Sequence, residues 1–225
     1  MRRHAGWLCV LLLGMAGAAN AGIVTYSGSL SIADGGLVGT GAWGVGPSSV
    51  SWVVTQVDMG PVHYEYTLSV PVGGVSHVVL ETSANFTEAD IWNVSVTGAD
   101  SWNVDLKTHR PQQGNPEMPG NVYGLKIELE EGATTATFAF DSSRQPMWGD
   151  IYSKDGRAGR MGLNTVRNVG FTEPDWDPVA LPANGALMGH LLVPDTTFVI
   201  PEPVSAAWLV MVVPATAVVR RRRAA

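Results

Sequence analysis

Apolar and polar side chains alternate with a period of two through most of this chain, the spacing of strands with one dry face and one wet face. In VHYEYTLSV, Tyr64, Tyr66, Leu68 and Val70 alternate with His63, Glu65, Thr67 and Ser69. In NVYGLKIELEEGATTATFAF, Tyr123, Leu125, Ile127 and Leu129 share a face, Glu131-Gly132-Ala133 makes a turn, and Ala136, Phe138 and Phe140 return. That layout predicts a β-hairpin. A second hairpin is predicted from IWNVSVTGADSWNVDLK, where Trp-Asn-Val recurs on either side of a Gly-containing turn. Trp92, Val94 and Val96 would face the core with Trp102, Val104 and Leu106, leaving Asn93, Ser95, Asn103 and Asp105 to water. His63 and His77 both fall on expected wet faces. No segment between residues 22 and 199 sustains a helical period. The expectation is an all-β body of antiparallel strands, packed as a β-sandwich or jelly roll.

The two ends break this pattern. Arg2 and Arg3 precede an apolar run over residues 5–18 and then Ala19-Asn20-Ala21. The order of charge, short apolar run and small residues is that of a secretory signal peptide, with cleavage expected after Ala21. The run is shorter than the ~20 residues a bilayer span requires. Cys9, the single cysteine, lies in this leader, so the mature protein is expected to have no disulfide and no thiolate.

At the other end, residues 204–219 form an uncharged apolar run whose helix would rise ~24 Å against a hydrocarbon core of ~30 Å. Pro214 weakens it further by removing a backbone donor. Arg220, Arg221, Arg222 and Arg223 follow directly and would remain on the cytoplasmic side, which places the body outside. Pro201, Glu202 and Pro203 precede the run. This order of parts, together with the leader, resembles the PEP-CTERM sorting signal of Gram-negative bacteria, the substrate signal of the exosortase membrane proteases. The segments GNPEMPGNVYGLKIE and FDSSRQPMWGDIYSKDGRAGR are similar to stretches of other, uncharacterised proteins carrying that signal. The resemblance covers about the last 25 residues; with the leader and the alternating body it gives three expected units: a signal peptide at 1–21, a β-sandwich body at 22–199 and a sorting signal at 200–225. The leader makes signal peptidase one expected processing partner, and the resemblance implies an exosortase as the other, with the chain held in the inner membrane by its C-terminal helix until the tail is removed. The body would then reach the cell surface or an exopolysaccharide matrix.

Charge narrows the partners of the body. Residues 22–199 hold eight Lys and Arg against nineteen Asp and Glu, a formal charge of −11. Such a surface repels nucleic acid and anionic polymers and suits cations or neutral glycans.

Candidate chemistry gathers in three loops, at 33–49, 108–120 and 173–184, and in the segment from Asp141 to Asp155. Asp141, Asp150 and Asp155 are candidate Ca²⁺ ligands, since hard cations take several carboxylate or carbonyl oxygens. Their spacing is not that of an EF-hand, and turn aspartates paired with Arg144 and Lys154 are the alternative. Trp148, Tyr152 and Trp176 are candidate glycan contacts, each joining a flat apolar area to one polar handle. For catalysis there is no Gly-x-Ser-x-Gly elbow, and a carboxylate pair such as Asp150 with Asp155 arises readily in any acidic β protein. The expectation is an exported surface or matrix protein with a structural or binding body and no enzymatic activity. A secreted carbohydrate-active enzyme or lectin-like module is the alternative.

Overall fold

The computed structural model describes residues 22–130, 132–155, 163–172 and 176–195. The expected leader and the expected sorting signal lie outside the described residues, and among those described no helix is long and apolar enough to cross a membrane. In chain order the elements are β1 Ile23–Ser31, β2 Leu37–Thr40, α1 Gly41–Val45, β3 Ser49–Val57, β4 Val62–Ser69, β5 Val75–Glu81 and β6 Ile91–Thr97. There follow β7 Ser101–His109, β8 Val122–Glu130, β9 Thr135–Ser142, β10 Pro146–Gly149, β11 Ile151–Asp155, β12 Thr165–Asn168 and β13 Leu191–Pro194.

The strands form two antiparallel sheets, one ordered β1-β3-β4-β9-β6 and the other β2-β12-β11-β5-β8-β7. The alternating pattern sends one face of each sheet inward. Trp52, Tyr64, Tyr66, Phe138 and Phe140 from the first meet Val78, Leu80, Leu125, Ile127 and Val166 from the second in one buried cluster. Each such side chain contributes about 1.5–3 kcal/mol on burial. Tyr64 lies opposite Phe140 and Tyr66 opposite Phe138 across β4 and β9, with ring centroids 5.4 and 5.1 Å apart. Both phenols are satisfied inside this core: Tyr64 donates to the Arg144 carbonyl and Tyr66 to that of Leu192. The architecture is therefore all-β and sandwich-like, as the alternation predicts.

A two-stranded ribbon, β10 with β13, completes the core. Leu191, Leu192 and Val193 are wholly buried, and β13 touches strands of both sheets.

Both predicted hairpins are corrected. The strands stand where the pattern puts them, but β6 and β9 belong to the first sheet while β7 and β8 belong to the second. The short glycine turns therefore carry the chain across from sheet to sheet. Three crossings stack at one end of the body: Ala133 N donates to Gly98 O at 2.7 Å, Val75 N to Ala133 O at 3.1 Å, and Val70 N to Thr134 O at 2.8 Å. A Cβ on Gly74 or Gly132 would come within 1.8 Å of a backbone oxygen of the neighbouring crossing, so these turns serve close approach of three chains.

As edge strands, β6 and β7 bury less than expected. Val94, Val96, Val104 and Leu106 pack partly against the core, Trp92 is half-buried, and Trp102 is 41 % exposed. β6 also slips register between Trp92 and Ser95, where Asn93 has a φ of 53°, the mark of a bulge at a sheet edge.

His77 departs from its expected wet position for a different reason. The segment 110–121 folds over the outer face of the second sheet, where Val79, Met118, Val122, Tyr152 and Phe171 form a smaller apolar cluster. His77 is buried beneath this cover and makes a 3.0 Å contact with Asn115 Oδ1.

Candidate functional site

Asp141, Asp150 and Asp155 do not converge, which corrects the calcium expectation. Asp141 sits on the outer face of the first sheet, opposite His63. Its Oδ1 lies 2.8 Å from His63 Nδ1, and its Oδ2 accepts a 2.7 Å hydrogen bond from Asn93. Burial acts to raise its pKa, but the bonds from Asn93 and His63 outweigh this and hold the carboxyl below its ordinary range. Asp150 directly precedes β11 and Asp155 is its last residue, and five residue steps of extended chain place them ~16 Å apart. Asp155 Oδ2 accepts from Asn164 Nδ2 at 3.0 Å and packs on Gly73, whose φ of +71° and absent side chain admit it. Arg144 pairs with Asp90 at 3.0 Å.

The aromatic candidates separate by burial. Trp148 is 2 % exposed and Tyr152 1 %, so neither offers a face to a sugar ring. Trp148 points into the core from β10, and Tyr152 donates its hydroxyl to the Pro116 carbonyl beneath the cover on the second sheet. Trp176, by contrast, is 64 % exposed, near exposed Val179, Leu181 and Met188 in the chain.

What the fold does bring together is Asp150, Asp177 and His190. Asp150 occupies the step from β10 to β11, fixed through its backbone: its N–H donates to Glu81 Oε2, and its carbonyl accepts from Glu81 N. Gly149 just before it has no side chain, which lets Val193 of β13 close in. His190 stands at the start of β13, after a tight turn in which Met188 and Gly189 take φ of 51° and 80°. Its ring lies against Gly170, where a Cβ would come 2.4 Å from Nε2. Asp177 comes from the segment after β12.

His190 Nδ1 is 2.9 Å from Asp150 Oδ1 and 3.3 Å from Asp177 Oδ1. Neither oxygen meets the ring nitrogen with hydrogen-bond alignment, and Asp150 Oδ2, Asp177 Oδ1 and His190 Nδ1 all lack a hydrogen-bond partner. Asn168 anchors the group, donating to Asp150 Oδ1 at 2.6 Å and to the Gly189 carbonyl at 2.9 Å while accepting from Ile151 N. The histidine and Asp150 side chains are almost fully buried, at 3 % and 0 % exposure, and Asp177 reaches solvent at 28 %. Burial alone would lower the imidazole pKa, but the two carboxylates outweigh it and raise it to about 9.

Asp150 and Asp177 lay in segments that the sequence marks as chemically loaded. His190 did not, since it is a single polar residue before the apolar run LLVP, and only tertiary contact gives it carboxylate neighbours. Pro201, Glu202, Pro203 and the arginines Arg220, Arg221, Arg222 and Arg223 lie outside the described residues. No family model, curated protein or solved structure matches the chain.

Proposed function

We propose that this is an exported protein whose β-sandwich body is delivered to the cell surface or extracellular matrix by two removable terminal signals, with a structural or binding role and no catalysis. The observation that carries the reading is that the two charged and apolar ends, which agree in topology, bracket the β framework closely. β1 begins at Ile23, directly after the expected cleavage point, and β13 ends at Pro194, shortly before Pro201. Gly22 is itself part of the fold: its N lies 2.8 Å from Asp58 Oδ1, and its carbonyl accepts from Asp58 N at 2.7 Å. In this reading signal peptidase frees Gly22, and an exosortase in the inner membrane reads Pro201-Glu202-Pro203 and removes the arginine tail.

Mass spectrometry of the protein recovered from hosts with and without an exosortase tests this. The expected mature species starts at Gly22 and lacks Arg220 to Arg223, and Glu202→Ala accumulates uncleaved precursor at the membrane. An intact arginine tail on surface-delivered protein would overturn the proposal.

Glycan binding is the second reading, and exposed Trp176 supports it among the three aromatic candidates. It expects retention on neutral exopolysaccharide that Trp176→Ala abolishes while the melting temperature stays unchanged; equal retention of the variant would remove it.

A further inference from the structure

The Asp150, Asp177 and His190 group has a geometry that neither export nor glycan contact explains. We propose that these three side chains form a binding site for one divalent transition-metal cation, with Zn²⁺ as its test probe, that staples three distant segments of the body together.

The separations are those of ligands around a common ion. Their ligand atoms all lie within 4.8 Å of one another, and two edges of the triangle measure 2.9 and 3.3 Å. Donors ~2.0–2.2 Å from Zn²⁺, spread at tetrahedral to octahedral angles, fall ~3–3.5 Å apart. A protonated imidazole between the two carboxylates is the competing occupant of this geometry, but its single Nδ1–H cannot serve both oxygens and is aligned with neither. Three of the seven buried side-chain polar atoms that lack a hydrogen-bond partner among the described residues belong to this one group. Buried polar atoms without partners are costly, and a cation at this triangle would engage His190 Nδ1 and Asp177 Oδ1 directly.

Ligand type selects the ion. An imidazole with two carboxylates suits zinc and its first-row neighbours, whereas Ca²⁺ and Mg²⁺ prefer all-oxygen shells. A dication also neutralises two carboxylates beside a neutral imidazole. The surrounding contacts are those that orient metal ligands: Asn168 holds Asp150 and ties it to the Gly189 carbonyl next to His190. Asp177, partly exposed, provides the entry path. Among the described residues there is no disulfide, and the one cysteine lies in the leader. A metal joining the β10–β11 step, the segment after β12 and the start of β13 would do the work that a crosslink does elsewhere.

The purified chain, stripped with chelator and dialysed, should take up one equivalent of Zn²⁺ saturably at micromolar concentration and melt at a higher temperature. Co²⁺ in its place should give a visible d–d absorption that Zn²⁺ bleaches. Asp177→Asn should weaken Zn²⁺ at least tenfold while melting like the parent in chelator, and His190→Gln should abolish the Co²⁺ band. His63→Asn, which alters the exposed His63–Asp141 pair, should leave stoichiometry and affinity unchanged. Absence of saturable uptake would overturn the site. So would uptake that His63→Asn removes and Asp177→Asn does not.

Discussion

The outer face of the five-stranded sheet carries His63, Glu65 and hydroxyl pairs such as Thr67 with Thr137 toward water, whereas that of the six-stranded sheet is roofed by the segments around Met118 and Phe171. Both faces descend from the same alternation, so the side chains pointing outward were legible but their fate was not. Whether an outward residue meets solvent depends on what the following loops lay over it. His63 and His77 show this most sharply. His63 makes a surface contact with Asp141, while His77 is buried with Asn115 as its neutral partner. Burial, more than proximity of a partner, therefore decides the energetic weight of each.

The largest expected effect comes from removing the roof. Phe171 is 1 % exposed in the outer cluster, so Phe171→Ala should cost about 3–5 kcal/mol in urea unfolding through lost burial and the cavity left behind. Thr137→Ala on the open face should cost less than about 1 kcal/mol, since it loses one solvent-accessible hydroxyl pair. Similar costs at the two positions would show that the cover contributes little to the fold.

Acid should act next, through the histidine under the roof. Burial, with Lys126 and Lys154 nearby, pushes the His77 imidazole down to about 3 against a contribution from Asn115 in the other direction. The unfolded chain takes up this proton near pH 6.5, before the folded chain does. Stability is therefore unaffected by His77 above pH 6.5 and falls between pH 6.5 and about 3, at up to about 1.4 kcal/mol per pH unit. His77→Gln, able to donate to Asn115 without titrating, should flatten the loss between pH 6.5 and 4.5 by about 2–3 kcal/mol relative to the parent. An unchanged acid slope in His77→Gln would mean that the cover opens before the histidine protonates.

Where the alternation is local it was a reliable guide: Tyr64, Tyr66, Leu68, Leu125, Ile127, Phe138 and Phe140 all point into the core. Pairing was beyond its reach, because a short turn with glycine can close a hairpin or carry a chain between sheets with equal local geometry. The neighbours of β6, β7, β8 and β9 are set by how three crossings stack, which no single segment encodes. The Asp150 site has the same character. Asp177 and His190 meet Asp150 only because the β10–β13 ribbon lies between the sheets, and neither carries a spacing signature. Aromatic type alone likewise did not distinguish Trp148, filling the core, from Trp176, standing in solvent.

A smaller effect tests the surface pair itself. His63→Ala removes a contact between side chains that are 50 % and 25 % exposed, so hydration and salt screening leave it worth about 0.2–1 kcal/mol. The loss should shrink further at 0.5 M salt. A cost above about 2 kcal/mol would show that this face is covered in solution, by a partner or a second copy, and would erase the contrast between the sheets.

The smallest effect lies at the end of the open sheet, where Gly22 meets Asp58. In the precursor the Gly22 nitrogen is an amide that donates one hydrogen bond to the Asp58 carboxylate. Cleavage after Ala21 would turn it into an ammonium, adding a charge to a bond already in place with no change in backbone path. Exposed ion pairs of this kind contribute about 0.2–1 kcal/mol. Asp58→Asn should therefore destabilise the processed protein by that amount more than it destabilises a form retaining the leader. Because Asp58 takes a φ of 54°, a conformation asparagine tolerates well, the substitution tests charge with little change in backbone strain. Equal losses in the two forms would show that the amide bond alone matters, and that the fold does not distinguish a freed Gly22 from one still joined to its leader.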